Sequence, residues 1–200
     1  MKKKMHHKQG KDIDTKLREL VLLIATLSEG DEPFGKIKLN KLMFFADFTA
    51  YRHLGKSITG HEYIRKPHGP VPKKLIQVIP ALGSSSKTDP DIFVRKQDYY
   101  GNDLYRPIAK RIPDISWFTF PEIKIIENVV KEWRGKSAKD ISEISHRFAG
   151  WSLAKPGESI PYEVALVGRR REPTDHELIR GKSLAQLIAR KATRSKPALH

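Results

Sequence analysis

Three phenylalanines within five residues, Phe44, Phe45 and Phe48, sit in a stretch free of glycine and proline from Lys36 to Leu54. Leu39, Leu42, Met43, Ala46 and Ala50 repeat at helical spacing and form one apolar stripe. The phenylalanines and Tyr51 add bulky apolar area beside it. A helix apolar over so much of its circumference cannot lie on a surface with one side in water. The chain must therefore wrap other elements around a central helix over about 36–54, stopped at Gly55.

Further elements follow from local signals. Leu17, Leu20, Val21 and Ile24 form a helical stripe widened by Leu22 and Leu23, predicting a first helix over 15–29 that is buried on more than one side. Residues 56–69 read as extended or irregular, and His68-Gly69-Pro70-Val71-Pro72 forbids helix, because a residue before proline leaves the α region. Pro72 suits the first turn of a third helix over 72–82. Ile92–Tyr99 and Leu104–Ile108 flank Tyr100-Gly101-Asn102-Asp103 and predict a β-hairpin with a Gly-Asn turn. Thr119-x-x-Glu122, Ser137-x-x-Asp140 and Thr174-x-x-Glu177 have capping-box spacing and predict helices over 121–134, 138–148 and 175–192. A short helix is expected over 161–167. The resulting expectation is a mainly α fold of the α+β class: one compact helical domain of about six to seven helices with a small antiparallel hairpin or sheet.

The net charge of +15 is concentrated at the ends. Residues 1–11 hold five lysines and no acid, and residues 169–200 hold nine Lys or Arg against three acids. The expected organisation is a basic disordered tail over 1–11, a domain over 12–168, and a basic C-terminal helix and tail over 169–200. The basic C-terminal segment makes nucleic acid a candidate partner, although no helix-turn-helix, zinc finger or aromatic-studded strand set accompanies it. The chain has no cysteine, which removes disulfides and thiolate chemistry. Its longest apolar run, Leu20–Leu27, is far short of the ~20 residues a membrane span needs. The basic start is followed by Asp12, Asp14 and Glu19 rather than an apolar stretch, so the chain is read as uncleaved and cytoplasmic.

Catalytic patterns are missing. The eight histidines form no HExxH-type pair, no Gly-x-Ser-x-Gly elbow occurs, and no phosphate loop is present. Ser145 and His146 are neighbours on one helix and diverge by ~100°. No metal, cofactor or enzymatic activity is expected.

A more specific pattern runs through the chain. It begins with Lys38-Leu39-Asn40-Lys41-Leu42-Met43-Phe44-Phe45-Ala46-Asp47-Phe48. Ile58-Thr59-Gly60-His61-Glu62-Tyr63 and His68-Gly69-Pro70-Val71-Pro72 follow. Ile144-Ser145-His146, Trp151, Gly157 and Ile160-Pro161-Tyr162-Glu163 complete it. Together, over about residues 15–167, these resemble the SocA-like antitoxin family, the Panacea domain of phage-associated proteins. The resemblance implies an antitoxin encoded beside a toxin, which it binds and neutralises. It also implies one scaffold serving many unrelated toxins. Some relatives carry a DNA-binding segment, and at least one hands its toxin to a protease. The present chain has only its basic C-terminal helix in place of such a segment.

The motif residues are Asn40, Lys41, Phe45, Asp47, Gly60, Tyr63, Gly69, Pro70, Pro72, His146 and Trp151. Asn40, Lys41 and Asp47 are polar positions on an otherwise apolar helix, and buried polar groups need partners. Asn40 and Asp47 are expected to tie down the loop shaped by Gly60, Gly69 and Pro70. His146 and Trp151 are expected to pack the fifth helix onto the second. The partner-binding face is placed on the hairpin, with Tyr99, Tyr100 and Tyr105, and on the neighbouring loop at His68.

Overall fold

The computed structural model describes residues 2–75 and 91–167. Helix α1 spans Lys2–Leu27 and α2 spans Lys36–Leu54. Strands β1 (Tyr63–Lys66) and β2 (Gly69–Pro72) follow, then β3 (Ile92–Tyr99) and β4 (Asn102–Ala109). A 3-10 turn at Ile115–Trp117 leads to α3 (Phe120–Trp133), α4 (Ala138–His146) and α5 (Ala149–Leu153). Strand β5 (Ser159–Ile160) and a 3-10 turn at Tyr162–Leu166 complete the body.

Helix α2 is the partition of this structure. One side meets a core of Leu20, Leu22 and Ile24 from α1 and Ile126, Val130 and Trp133 from α3. The other carries Phe44 and Phe48 into a second cluster with Tyr63, Ile160 and Ala165. Phe148 joins that second cluster, its ring 5.1 Å from Phe44 and 5.3 Å from Phe48. The two-sided burial explains why the helix is apolar nearly all round. Burying each Phe is worth ~2–3 kcal/mol.

Two small antiparallel sheets flank the helices. One has the order β2-β1-β5, with Tyr63 opposite both Pro72 and Ile160. The other is the β3–β4 hairpin, with Tyr99 opposite Asn102. Its turn is therefore Tyr100-Gly101, not the expected Gly-Asn. Both turn residues have positive φ, 51° and 75°. That geometry matches the right-handed twist of the strands, and Gly101 adopts it without steric cost.

Five α-helices lie among the described residues, fewer than the six to seven expected. The segment 161–167 is a 3-10 turn rather than an α-helix. The segment expected as one helix over 138–148 breaks after His146, and Phe148 then caps the separate α5. The helix expected over 72–82 begins at Lys73–Leu75 and otherwise lies outside the described residues, as does the one over 175–192. Helix α1 reaches back to Lys2, into the stretch read as a disordered tail. Each residue added to an already nucleated helix gains one hydrogen bond, so extension is inexpensive.

The expected caps of α3 and α4 form. The Thr119 N–H donates to the Glu122 carboxylate at 2.7 Å. The Ser137 N–H donates to Asp140 at 3.0 Å, and the Asp140 N–H returns a bond to Ser137 Oγ at 3.2 Å. Among the described residues no helix is long and apolar enough to cross a membrane.

Candidate functional site

Asp47 projects from the middle of α2 and is fully buried. Its carboxylate accepts the Thr59 N–H at 2.8 Å, the Thr59 hydroxyl at 2.5 Å and the Tyr63 hydroxyl at 2.7 Å. The Tyr162 hydroxyl lies 3.5 Å away and also donates to the His61 carbonyl at 2.7 Å. One side chain thus joins α2, the 57–62 loop, β1 and the C-terminal 3-10 turn. Burial raises the Asp47 pKa, while the bonds from Thr59 and Tyr63 oppose that rise. Burial, and then the Asp47 charge, hold the Tyr63 and Tyr162 hydroxyls protonated.

A second polar cluster lies about one and two-thirds turns earlier on α2. Lys41 is buried, and its ammonium donates to the Pro70 carbonyl at 3.4 Å. Burial lowers its pKa to about 8. A Cβ on Gly69 would stand 2.5 Å from both Lys41 Nζ and Ser145 Oγ. Gly69 also has φ +107°, so this position demands glycine on both counts. His146 stacks on Trp151 with ring centroids 3.9 Å apart. The Arg65 guanidinium lies 4.3 Å from the Trp151 ring centroid and donates to the Ala154 carbonyl at 2.6 Å. Trp151 Nε1 donates to the Lys66 carbonyl at 3.1 Å, so this residue docks α5 on β1. Phe148, at the end of the segment expected as the fifth helix, packs on Phe44 and Phe48 of α2. Burial, and then the charge of Lys41, lower the His146 pKa.

Other motif positions are placed as follows. Phe45 stacks on Trp133 at 5.1 Å, joining α2 to α3. Pro70 and Pro72 lie in the sheet-edge strand β2, where a missing N–H is tolerated. The exposed Gly60 donates its N–H to Ser57 Oγ at 3.0 Å. Asn40 Oδ1 is buried without a hydrogen-bond partner among the described residues. Among the described residues, the bonds that tie the 57–62 loop to α2 come from Asp47.

The hairpin presents a different surface. Tyr100 at its tip is 83% exposed, and Phe93 and Tyr105 are also exposed. Tyr99 is half-buried and meets Tyr100 edge-on at 4.8 Å. Lys36 and Lys110 lie over the rings of Tyr105 and Phe93, at 5.1 and 5.2 Å. Arg106 fastens the hairpin to the α1–α2 connection by donating to the carbonyls of Ser28, Asp31 and Glu32 at 3.2, 2.8 and 3.3 Å. At its base, Arg111 grips Glu19 of α1 with two N–H bonds of 2.5 and 2.9 Å. His68, the other residue assigned to the partner face, is exposed in the turn between β1 and β2, which belongs to the other sheet. A surface cleft of about 500 Å³ beside the hairpin is lined by Arg95, Tyr99, Tyr100 and Arg106.

Sequence reasoning did not single out Thr59, Tyr162, Arg65 or the buried Lys38–Asp31 pair at 2.7 Å. Thr59 and Tyr162 stand inside quoted motifs, so their residue types beside the buried Asp47 were the available signal. Lys38, charged on the same apolar helix, offered the same signal as Lys41.

Comparison with curated proteins and with solved structures returns no match. A family model described as antitoxin SocA-like, Panacea domain, matches residues 39–152, more than half of the chain. That range takes in α2 from Leu39 onward, β1 to β4, α3, α4 and most of α5, including Asp47, Lys41, Gly69, His146 and Trp151. On the strength of that match, this chain belongs to the SocA-like antitoxin family of Panacea domains.

Proposed function

We propose that this chain neutralises a cognate protein toxin by binding it directly, with no bond made or broken. Family membership supports a toxin as the kind of partner. The observation that carries the mode of action is the hairpin: exposed aromatic side chains on a strand pair locked to the body by Arg106 and Arg111. Tyrosine supplies large contact area with little conformational entropy to lose. A pre-tethered hairpin lowers the ordering cost further. The double variant Tyr100→Ala, Tyr105→Ala is expected to weaken binding to the product of the adjacent toxin gene by ~100-fold, as loss of two anchors does. Titration calorimetry reads this. Thermal stability should be unchanged, because both side chains are exposed. Unchanged affinity removes the hairpin from the interface. Binding to nucleic acid that collapses between about 50 and 200 mM salt would favour a regulator instead. Client loss only in the presence of a protease would favour an adaptor.

A further inference from the structure

Helix α2 carries two buried lysines, and the fold treats them differently. Lys38 pairs with Asp31 at 2.7 Å and donates to the Lys136 carbonyl at 2.7 Å. Lys41, one turn on and equally buried, has the Pro70 carbonyl at 3.4 Å and no carboxylate among the described residues. A buried ammonium has three donors to satisfy and is costly unless paired. Beside it, Ser145 spends its hydroxyl proton on the Ser142 carbonyl at 2.7 Å. His146 is hydrogen-bonded to the His68 backbone, and its buried Nε2 has no partner among the described residues. Lys41, His68 and Arg65 each disfavour a charge on His146, and no acid stands among its main influences. This is a locally cationic cluster with unused donor capacity.

We propose that Lys41 Nζ and His146 Nε2 form a site for a small oxyanion, a carboxylate or a phosphate, reached past the exposed His68. The oxyanion would give Lys41 the counter-charge that Asp31 gives Lys38. It would give His146 Nε2 an acceptor once the ring is protonated, since imidazolium donates from both nitrogens. Gly69, with no Cβ, lets Lys41 Nζ and Ser145 Oγ both approach its backbone here. The site is flanked by the β2-β1-β5 sheet, not by the β3–β4 hairpin sheet, and its test needs no toxin.

The test uses the full chain in chloride buffer at constant ionic strength. Inorganic phosphate and acetate are titrated separately, with thermal unfolding and the His146 ring NMR signals followed together. A saturable rise in the unfolding midpoint with either anion, moving the His146 signals and lost in Lys41→Met, is the expected result. Phosphate alone, or acetate alone, names the ligand. An equal response in the wild-type chain and Lys41→Met, or unmoved His146 signals at saturation, would overturn the site. The wild-type NMR titration stands by itself if Lys41→Met fails to fold.

Discussion

Replacing Asp47 by alanine should remove the tie that joins four parts of the fold. The carboxylate takes three bonds of 2.5–2.8 Å, two from Thr59 and one from Tyr63, with Tyr162 a more distant fourth donor. Each stranded buried donor costs about 1–3 kcal/mol, although partial relaxation makes the losses less than additive. Removing an ionisable group that burial disfavours returns part of that loss. The expected net destabilisation is ~4 kcal/mol, or a fall in Tm on the order of 10 °C for a chain of this size. Chemical denaturation at pH 7 measures it. A double-mutant cycle with Tyr63→Phe isolates the shared term, because Tyr63→Phe deletes one donor and leaves the ring packed on Phe44 and Phe48. A coupling of at least ~1 kcal/mol is expected between contacting groups. A loss below ~1 kcal/mol for Asp47→Ala, with no coupling, would refute the hub.

Lys41 gives a pH prediction. Its folded pKa of about 8 lies below the ordinary 10.5, so between these values the unfolded chain holds the extra proton. Stability then rises with pH, and the penalty present below pH 8 is relieved by pH 10.5. In chloride buffer free of phosphate and carboxylates, the wild-type chain should gain ~3 kcal/mol relative to Lys41→Met across this window; a flat difference would contradict the burial of an unpaired ammonium. Gly69→Ala should destabilise by about 2 kcal/mol or more through overpacking against Lys41 and Ser145 together with backbone strain, read by urea denaturation. Lys38→Met should lose about 3–5 kcal/mol by stranding Asp31, and adding Asp31→Leu should recover much of that loss; equal stability of the single and double variants would refute the pairing.

The central helix was legible because two-sided burial leaves an all-round apolar pattern, and its limits at Lys36 and Leu54 match the expected ones. The caps at Thr119 and Ser137 were legible because their bonds span three residues. The β2-β1-β5 sheet was not. Its strands are two to four residues long, one carries two prolines, and β5 arrives from about ninety residues downstream. Asp47 was legible as a polar group needing partners, whereas Tyr162, 115 residues away, is brought to it only by tertiary folding. Asn40 shared the same local signal and lies on nearly the same helix face, but about two turns (~10 Å) nearer the N-terminus than Asp47, away from the Thr59 and Tyr63 donors. The hairpin strands were readable because they flank a turn-forming Gly-Asn stretch, but the turn was shifted because Tyr100 takes a positive φ that a non-glycine residue seldom adopts.

The most direct test of a binding antitoxin is growth. The chain is expressed together with the product of a neighbouring gene that arrests growth when expressed alone, cell growth is scored, and the lysate is fractionated for a complex of the two polypeptides. Restored growth with the two proteins co-purifying, and the toxin chemically unaltered on release, is the predicted result. Growth that stays arrested while both proteins are present and folded, or rescue in which the two never associate, would contradict it.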